Sequence, residues 1–331
     1  MNSIETISLS KSFGDVTAVN DVSFAVDEGE IFGFLGPNGA GKSTTMMILT
    51  TLLNPTSGKA LVAGYDVMTH AKKVRENIGY VQQDSTVDEF LTGRENLFLQ
   101  ARLNRIPKSI SEKRIDDILA LIELTEKQDD AVVTYSGGMR KRLDIAGGLL
   151  HMPKVLFLDE PTVGLDIQTR RKIWQYIKQI HIEYGMSIFL STHYMEEADN
   201  LCDRVGIIDY GKIQIIDSPT SMKNSLGNEV ITFSLFDTEN QTLIPKLKEI
   251  SFVKDVKLKE EKITVFTSNG TEVIPKIFQI SSEHGIKIKT ISLTQPSLDD
   301  VFINYTGHQL RDENGTSIRK KGYKRMTRFN S

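Results

Sequence analysis

At 331 residues, 39% hydrophobic and 25% charged, the chain has the composition of an ordinary globular protein of about two domains, and it needs no metal or disulfide staple. Its one cysteine, Cys202, excludes an internal disulfide and fits a reducing cytoplasm; no run approaches 18 apolar residues, and the N-terminus does not read as a signal peptide. The net charge of −3 is uneven: residues 311–331 hold seven basic side chains against two acidic ones, which leaves a body of −8 that offers no basic face for nucleic acid.

Residues 4–10 and 20–27 alternate apolar and polar positions, as strands of a half-buried sheet do. Ile31-Phe32-Gly33-Phe34-Leu35 is a short apolar run that opens into Gly36-Pro37-Asn38-Gly39-Ala40-Gly41-Lys42-Ser43. A buried parallel strand entering a glycine-rich turn is the setting of a phosphate-binding loop. The glycines let successive N–H groups turn inward, and the helix that follows aims its positive end at the same spot. Lys42 is expected to supply a point charge for the β- and γ-phosphates, and the Ser43 hydroxyl can ligate magnesium. Gly36 to Ser43, with Thr44 after them, are the expected nucleotide contacts. A helix is predicted over Thr44–Leu53, ended by Asn54-Pro55-Thr56-Ser57-Gly58.

Residues 94–150 are mostly helical by period, with a break at Pro107. Val155-Leu156-Phe157-Leu158 then runs into Asp159-Glu160, an apolar strand ending in two carboxylates. The carboxyl end of such a strand faces the ligand crevice, which places Asp159 to hold magnesium and Glu160 to polarise an attacking water. A helix over about 167–184 and a strand over Ser187–Leu190 follow. The order implies an α/β P-loop core interrupted by a helical insertion. Beyond Leu226 the order of predicted elements is βαββαβ, the ferredoxin-like arrangement, in a small α+β unit of roughly 80 residues. Ser297 and Asp300 stand at capping-box spacing before a last helix whose Leu298, Val301, Phe302 and Tyr305 form one apolar stripe. His151, His181 and the single tryptophan, Trp174, read as structural.

Between and after the two phosphate-site motifs lie further ones. Tyr135-Ser136-Gly137-Gly138-Met139 closely resembles the signature sequence of ABC ATPases, with tyrosine and methionine where leucine and glutamine are usual. Gln83 looks like the Q-loop glutamine, and Pro161 to Asp166 resembles the D-loop. His193, after Ser191-Thr192, resembles the switch histidine, and Phe13 matches the aromatic residue that stacks on adenine. The resemblance covers residues 1–225. The ending Pro296 to Gly307 and the run Lys11-Ser12-Phe13-Gly14 are similar to the daunorubicin-resistance branch of ABC exporters.

The resemblance implies ATP and Mg2+ as cofactors, with Lys42, Gln83, Glu160 and His193 as the catalytic set. Ser43, Gln83 and Asp159 are the implied metal ligands. Ser136, Gly137, Gly138 and Asp166 are implied to meet the nucleotide of an opposing subunit, so the active form is a homodimer or a pair with a second ABC ATPase. Residues 84–90 are expected to contact a separate polytopic permease, holding the chain on the inner face of the membrane. The implied division is an ABC domain over 1–225, with its helical part at about 85–150, an accessory domain over 226–307, and a basic tail over 308–331. That tail suits anionic lipid or an acidic partner, or is simply a solvated end. The rival reading is a soluble ABC ATPase acting on nucleic acid or ribosomes; a ligand-sensing role for the accessory domain is a further possibility.

Overall fold

The computed structural model describes residues 1–236, 243–259 and 262–307, so the basic tail lies outside the described residues. The chain opens with the antiparallel strands β1 (Asn2–Phe13) and β2 (Val16–Asp27), then β3 (Ile31–Leu35) and α1 (Lys42–Leu49). It returns through β4 (Ser57–Val62), β5 (Tyr65–Asp66), α2 (Ala71–Asn77) and β6 (Ile78–Val81). Both hairpin strands run further than their alternation predicts, meeting at a Phe13–Val16 pair across a turn in which Gly14 has φ 56°. Register shifts between Thr6 and Ser12 break the period of two, so the sequence pattern stops before the strand does. The first helix also ends earlier than expected. Thr51 turns left-handed, and the N–H groups of Leu52 and Leu53 both fold back onto the Met47 carbonyl.

The helical insertion holds α3 (Gly93–Leu103), α4 (Lys108–Leu121) and α5 (Gly137–Leu149). Strand–helix alternation then resumes with β7 (Val155–Asp159), α6 (Ile167–Tyr184), β8 (Ser187–Thr192), α7 (Met195–Leu201), β9 (Arg204–Asp209), β10 (Lys212–Asp217) and α8 (Pro219–Leu226). A six-stranded sheet in the order β10-β9-β3-β8-β7-β6 is parallel except for β10. Every residue of β3, β7 and β8 is buried, as strands covered on both faces must be. The four-stranded sheet β2-β1-β4-β5 lies against it through an aromatic layer, in which Phe24 of β2 stacks on Phe32 and Phe189 at 5.4 and 5.8 Å.

Parallel register decides where the chemistry emerges. Leu35 pairs with Thr192 and Asp159 with Ser191, so the glycine loop, Asp159-Glu160 and His193 leave the sheet at one level of its carboxyl edge.

The remaining elements are β11 (Glu229–Leu235), α9 (Leu243–Lys248), β12 (Val253–Lys259), β13 (Lys262–Thr267), α10 (Gly270–Glu283), β14 (Ile288–Thr294) and α11 (Leu298–Thr306). The four strands form an antiparallel sheet in the order β12-β13-β11-β14, with its own core under α9 and α10. Helix α11 leaves that unit and packs on α7 and α8, burying Leu298, Val301 and Phe302 in one core with Leu201, Met222 and Leu226. Tyr305, the fourth residue of its predicted stripe, is 37% exposed. The capping box is formed: Ser297 N–H donates to Asp300 Oδ2 at 2.9 Å and Asp300 N–H to Ser297 Oγ at 3.3 Å. Phe302→Ala empties a fully buried ring site. A loss of about 3–5 kcal/mol is expected from transfer and cavity terms, read as a lower urea midpoint.

Candidate active site

The glycine loop runs from the end of β3 into α1, and Gly41 caps that helix at φ 107°, a conformation strained for any L side chain. Lys42 is 4% exposed. Its Nζ donates to the carbonyls of Gly36 and Pro37 at 2.8 and 3.2 Å and pairs with Glu160 Oε1 at 3.2 Å. Burial pulls the lysine below its ordinary value, although the Glu160 charge opposes that.

Glu160 takes a left-handed backbone, φ 45°, held by its N–H donating to both the carbonyl and the hydroxyl of Ser191 at 3.1 Å. Its side chain is clamped on two sides, Oε1 by Lys42 and Oε2 by His193 Nδ1 at 3.1 Å. Burial works to raise this carboxyl, but the His193 bond and the Lys42 charge outweigh it and leave it below the usual carboxylate range. The neighbouring Asp159 goes the other way: burial raises it despite a hydrogen bond from Ser191. Two adjacent carboxyls are thus driven apart, one held as a paired anion and the other raised by desolvation.

Ser43 Oγ lies 3.4 Å from Asp159 Oδ1. A hydroxyl and a carboxylate converging at the mouth of a phosphate loop form a hard-oxygen donor pair, which fits an ion that takes one or two protein oxygens and completes its shell with phosphate and water.

Lys42, Glu160 and His193 form one bonded group and Ser43 and Asp159 another, and Ser191 joins the two into a single cluster. Gly36 and Pro37 join it through their carbonyls, whereas Phe13, Gln83, Ser136 and Asp166 stand apart from it. Phe13 is half exposed at the end of β1 beneath the Lys11 ammonium, 5.1 Å from the ring centre. Gln83 is exposed just beyond β6. Ser136 caps α5, its hydroxyl accepting from Met139 N–H at 3.3 Å. Asp166 caps α6, accepting from the N–H groups of Gln168 and Thr169, both at 3.0 Å. Gly138 brings these last two surfaces together: a Cβ there would lie 2.4 Å from Thr169 Cγ2.

The unusual signature tyrosine has a defined place. Tyr135 is buried, its hydroxyl donates to the Lys127 carbonyl, and Gly93 leaves it room, since a Cβ at 93 would sit 2.4 Å from that hydroxyl. Gly93→Ala is expected to cost about 1–3 kcal/mol by overpacking, and Tyr135→Phe in the same chain to recover part of it, which a double-mutant cycle of unfolding free energies will measure.

The sequence reading missed four residues. Ser191 bridges Asp159 and Glu160, Lys141 and Asp144 on α5 hold the segment after β6, and buried Glu197 accepts from Thr162 and Trp174 at 2.8 and 3.0 Å. Only the pairing of β7 with β8 could reveal Ser191, and no local pattern encodes that pairing. His151 and His181 bond backbone carbonyls, of Ile78 and Met186, in keeping with the structural roles read for them.

Comparison with known proteins agrees with this geometry. The ABC transporter family model matches residues 19–163, and that of the ATP-binding protein DrrA1-3-like C-terminal domain matches residues 218–306. The linearmycin resistance ATP-binding protein LnrL of Bacillus subtilis is 35% identical over 311 residues, 93% of this chain and all of that one. The chain belongs to the ATP-binding proteins of the ABC transporter family. The doxorubicin resistance ATP-binding protein DrrA of Mycobacterium tuberculosis is 38% identical, over 88% of this chain and 89% of that protein. Among solved structures, a dimeric ATP-binding cassette in a post-hydrolysis state with ADP and Pi aligns with a TM-score of 0.58 and 26% identity, covering 65% of this chain and 98% of that one. The cbiO1 subunit of Clostridium perfringens aligns with a TM-score of 0.63 and 26% identity, over 75% of this chain and 94% of that one. This ABC ATPase accordingly binds and hydrolyses ATP. Among the described residues no helix is long and apolar enough to cross a membrane.

Proposed function

We propose that this ABC ATPase powers an exporter whose membrane-spanning permease is a separate chain, and that it works as a homodimer, or with a second ABC ATPase, closed over two ATP molecules with magnesium. The observation that carries the reading is the Lys42–Glu160–His193 cluster at the carboxyl edge of β3, β7 and β8. In our assignment residues 36–44 bind the phosphates and Phe13 stacks on adenine. Glu160, oriented by His193, takes the proton of the attacking water. Lys42 shifts from Glu160 to the phosphates when ATP enters, which frees that carboxylate for the water. Ser43, Gln83 and Asp159 would hold magnesium, which when bound neutralises phosphate charge.

Ser136, Gly137, Gly138 and Asp166 act on the nucleotide of the opposing subunit. One chain carries one loop and one signature, so two chains make two complete sites. The α5 terminus offers the Gly138 amide, the Ser136 hydroxyl and the positive end of a 13-residue helix to a γ-phosphate. Residues 1–225 are the motor, with its helical part at about 85–150 and residues 84–90 meeting the permease, and residues 226–307 are an accessory domain. The exported compound is of the drug or lipid-like class, since relatives are named for linearmycin, daunorubicin and doxorubicin resistance and for Nod factor export. The chain then resides on the inner face of the membrane through its permease. No observation favours the nucleic-acid or ribosome reading.

The test is to purify tagged Glu160→Gln from its native cell, with membranes solubilised in ATP. Recovery of one polytopic membrane protein at near-equal amount supports the exporter. Recovery from the soluble fraction with nucleic acid or ribosomes leaves an ATPase and removes the transport role.

A further inference from the structure

Helix α5 starts with the signature residues and carries two buried charged side chains further along, Lys141 and Asp144, each 7% exposed. Both are spent on the segment that leaves β6. Lys141 Nζ donates to the backbone carbonyls of Gln82 and Gln83 at 2.9 and 3.1 Å. Asp144 Oδ1 accepts from the Thr86 N–H at 3.0 Å and from its hydroxyl at 2.9 Å. A stretch whose Gln82 to Thr86 are all exposed is thus held at both ends by one helix.

Core packing gives no reason for this choice of residues. A buried ammonium is disfavoured by desolvation, and burial does pull Lys141 below its ordinary value although Asp144, Asp84 and Asp159 oppose it. An apolar side chain would fill the same volume without that penalty. What Lys141 adds is directional bonding to the successive main-chain carbonyls of Gln82 and Gln83. From Ser136 to Asp144 the helix spans roughly 12 Å at 1.5 Å per residue, and a hydrogen-bonded helix of that length moves as a unit.

We propose that Lys141 and Asp144 are positioning residues that fasten the Gln82–Thr86 segment to the signature helix, so that displacement of Gln83 at one nucleotide is transmitted to Ser136 at the other. The proposal rests on the roles given above to Gln83 and Ser136. Coupling of this kind runs both ways, so closure on Ser136 also shifts Gln83 and the surface after it.

The experiment uses the full chain in the Glu160→Gln background, with ATP-driven dimerisation followed by light scattering and monomer affinity by titration with fluorescent ATP. Lys141→Met and Asp144→Ala are expected to weaken the ATP dimer by roughly 5–150-fold, the span of a typical coupling free energy, while monomer affinity for ATP holds. Asp144→Asn keeps an oxygen facing Thr86, so it should dimerise like the parent. Thr86→Val removes the hydroxyl bond from the exposed side and replaces Asp144→Ala if that variant does not fold. Dimer affinity unchanged in both Lys141→Met and the Asp144 or Thr86 variant overturns the proposal. Equal weakening in Asp144→Asn and Asp144→Ala, in step with their unfolding midpoints, also overturns it, because a purely structural role predicts that. If the Glu160→Gln parent fails to dimerise with ATP, the in-trans reading itself is wrong and the proposal goes with it.

Discussion

Glu160→Gln is expected to lower steady-state ATP turnover by about 10²–10⁴-fold, the usual worth of a positioned general base. The substitution keeps the side-chain volume and the backbone bonds to Ser191 that hold the left-handed turn. It removes the negative charge that faces Lys42 at 3.2 Å and replaces a carboxylate oxygen with an amide that cannot accept a proton from water. ATP binding should persist, because the glycine loop and Lys42 are untouched, and ATP should then shift the chain from monomer to a long-lived dimer. Phosphate release and light-scattering mass, with and without ATP, measure the two effects. Turnover at the parent rate would mean that another group activates the water, which would leave Glu160 as the Lys42 counter-ion alone.

Lys42→Ala is expected to weaken ATP binding by roughly 10–150-fold, since a charge-assisted hydrogen bond contributes about 1.5–3 kcal/mol. The loss should appear in nucleotide titration of the monomer, before any dimer forms, which separates it from Glu160→Gln. Unfolding of the nucleotide-free variant gives a second reading. Removing one member of a buried ion pair costs up to about 3–5 kcal/mol, and less is expected here because His193 still donates to Glu160. Lys42→Arg is not expected to rescue binding. Its planar fork has to replace an ammonium that meets two carbonyls and a carboxylate in a pocket 4% exposed.

A glycine loop after an apolar strand, two carboxylates closing another, and a histidine after a third are local patterns, because each requirement is met by neighbouring residues. The sequence therefore determined the P-loop class, the helical insertion, the βαββαβ order after Leu226 and the capping box at Ser297. Helix α6 runs over 167–184 as its period predicts. Strand and helix ends were less legible: bulges hid the length of β1, and a left-handed Thr51 closed α1 early. The tertiary structure alone decided that Ser191 bridges the two carboxylates and that Lys42 rests on Glu160. It alone also placed Lys141 and Asp144 on the segment after β6 and carried α11 back onto α7 and α8. These contacts join residues from 31 to more than 100 positions apart, and strand register and helix docking create them. A linear pattern shows which face of an element is apolar, but the partner that covers it is fixed only when the whole chain has closed.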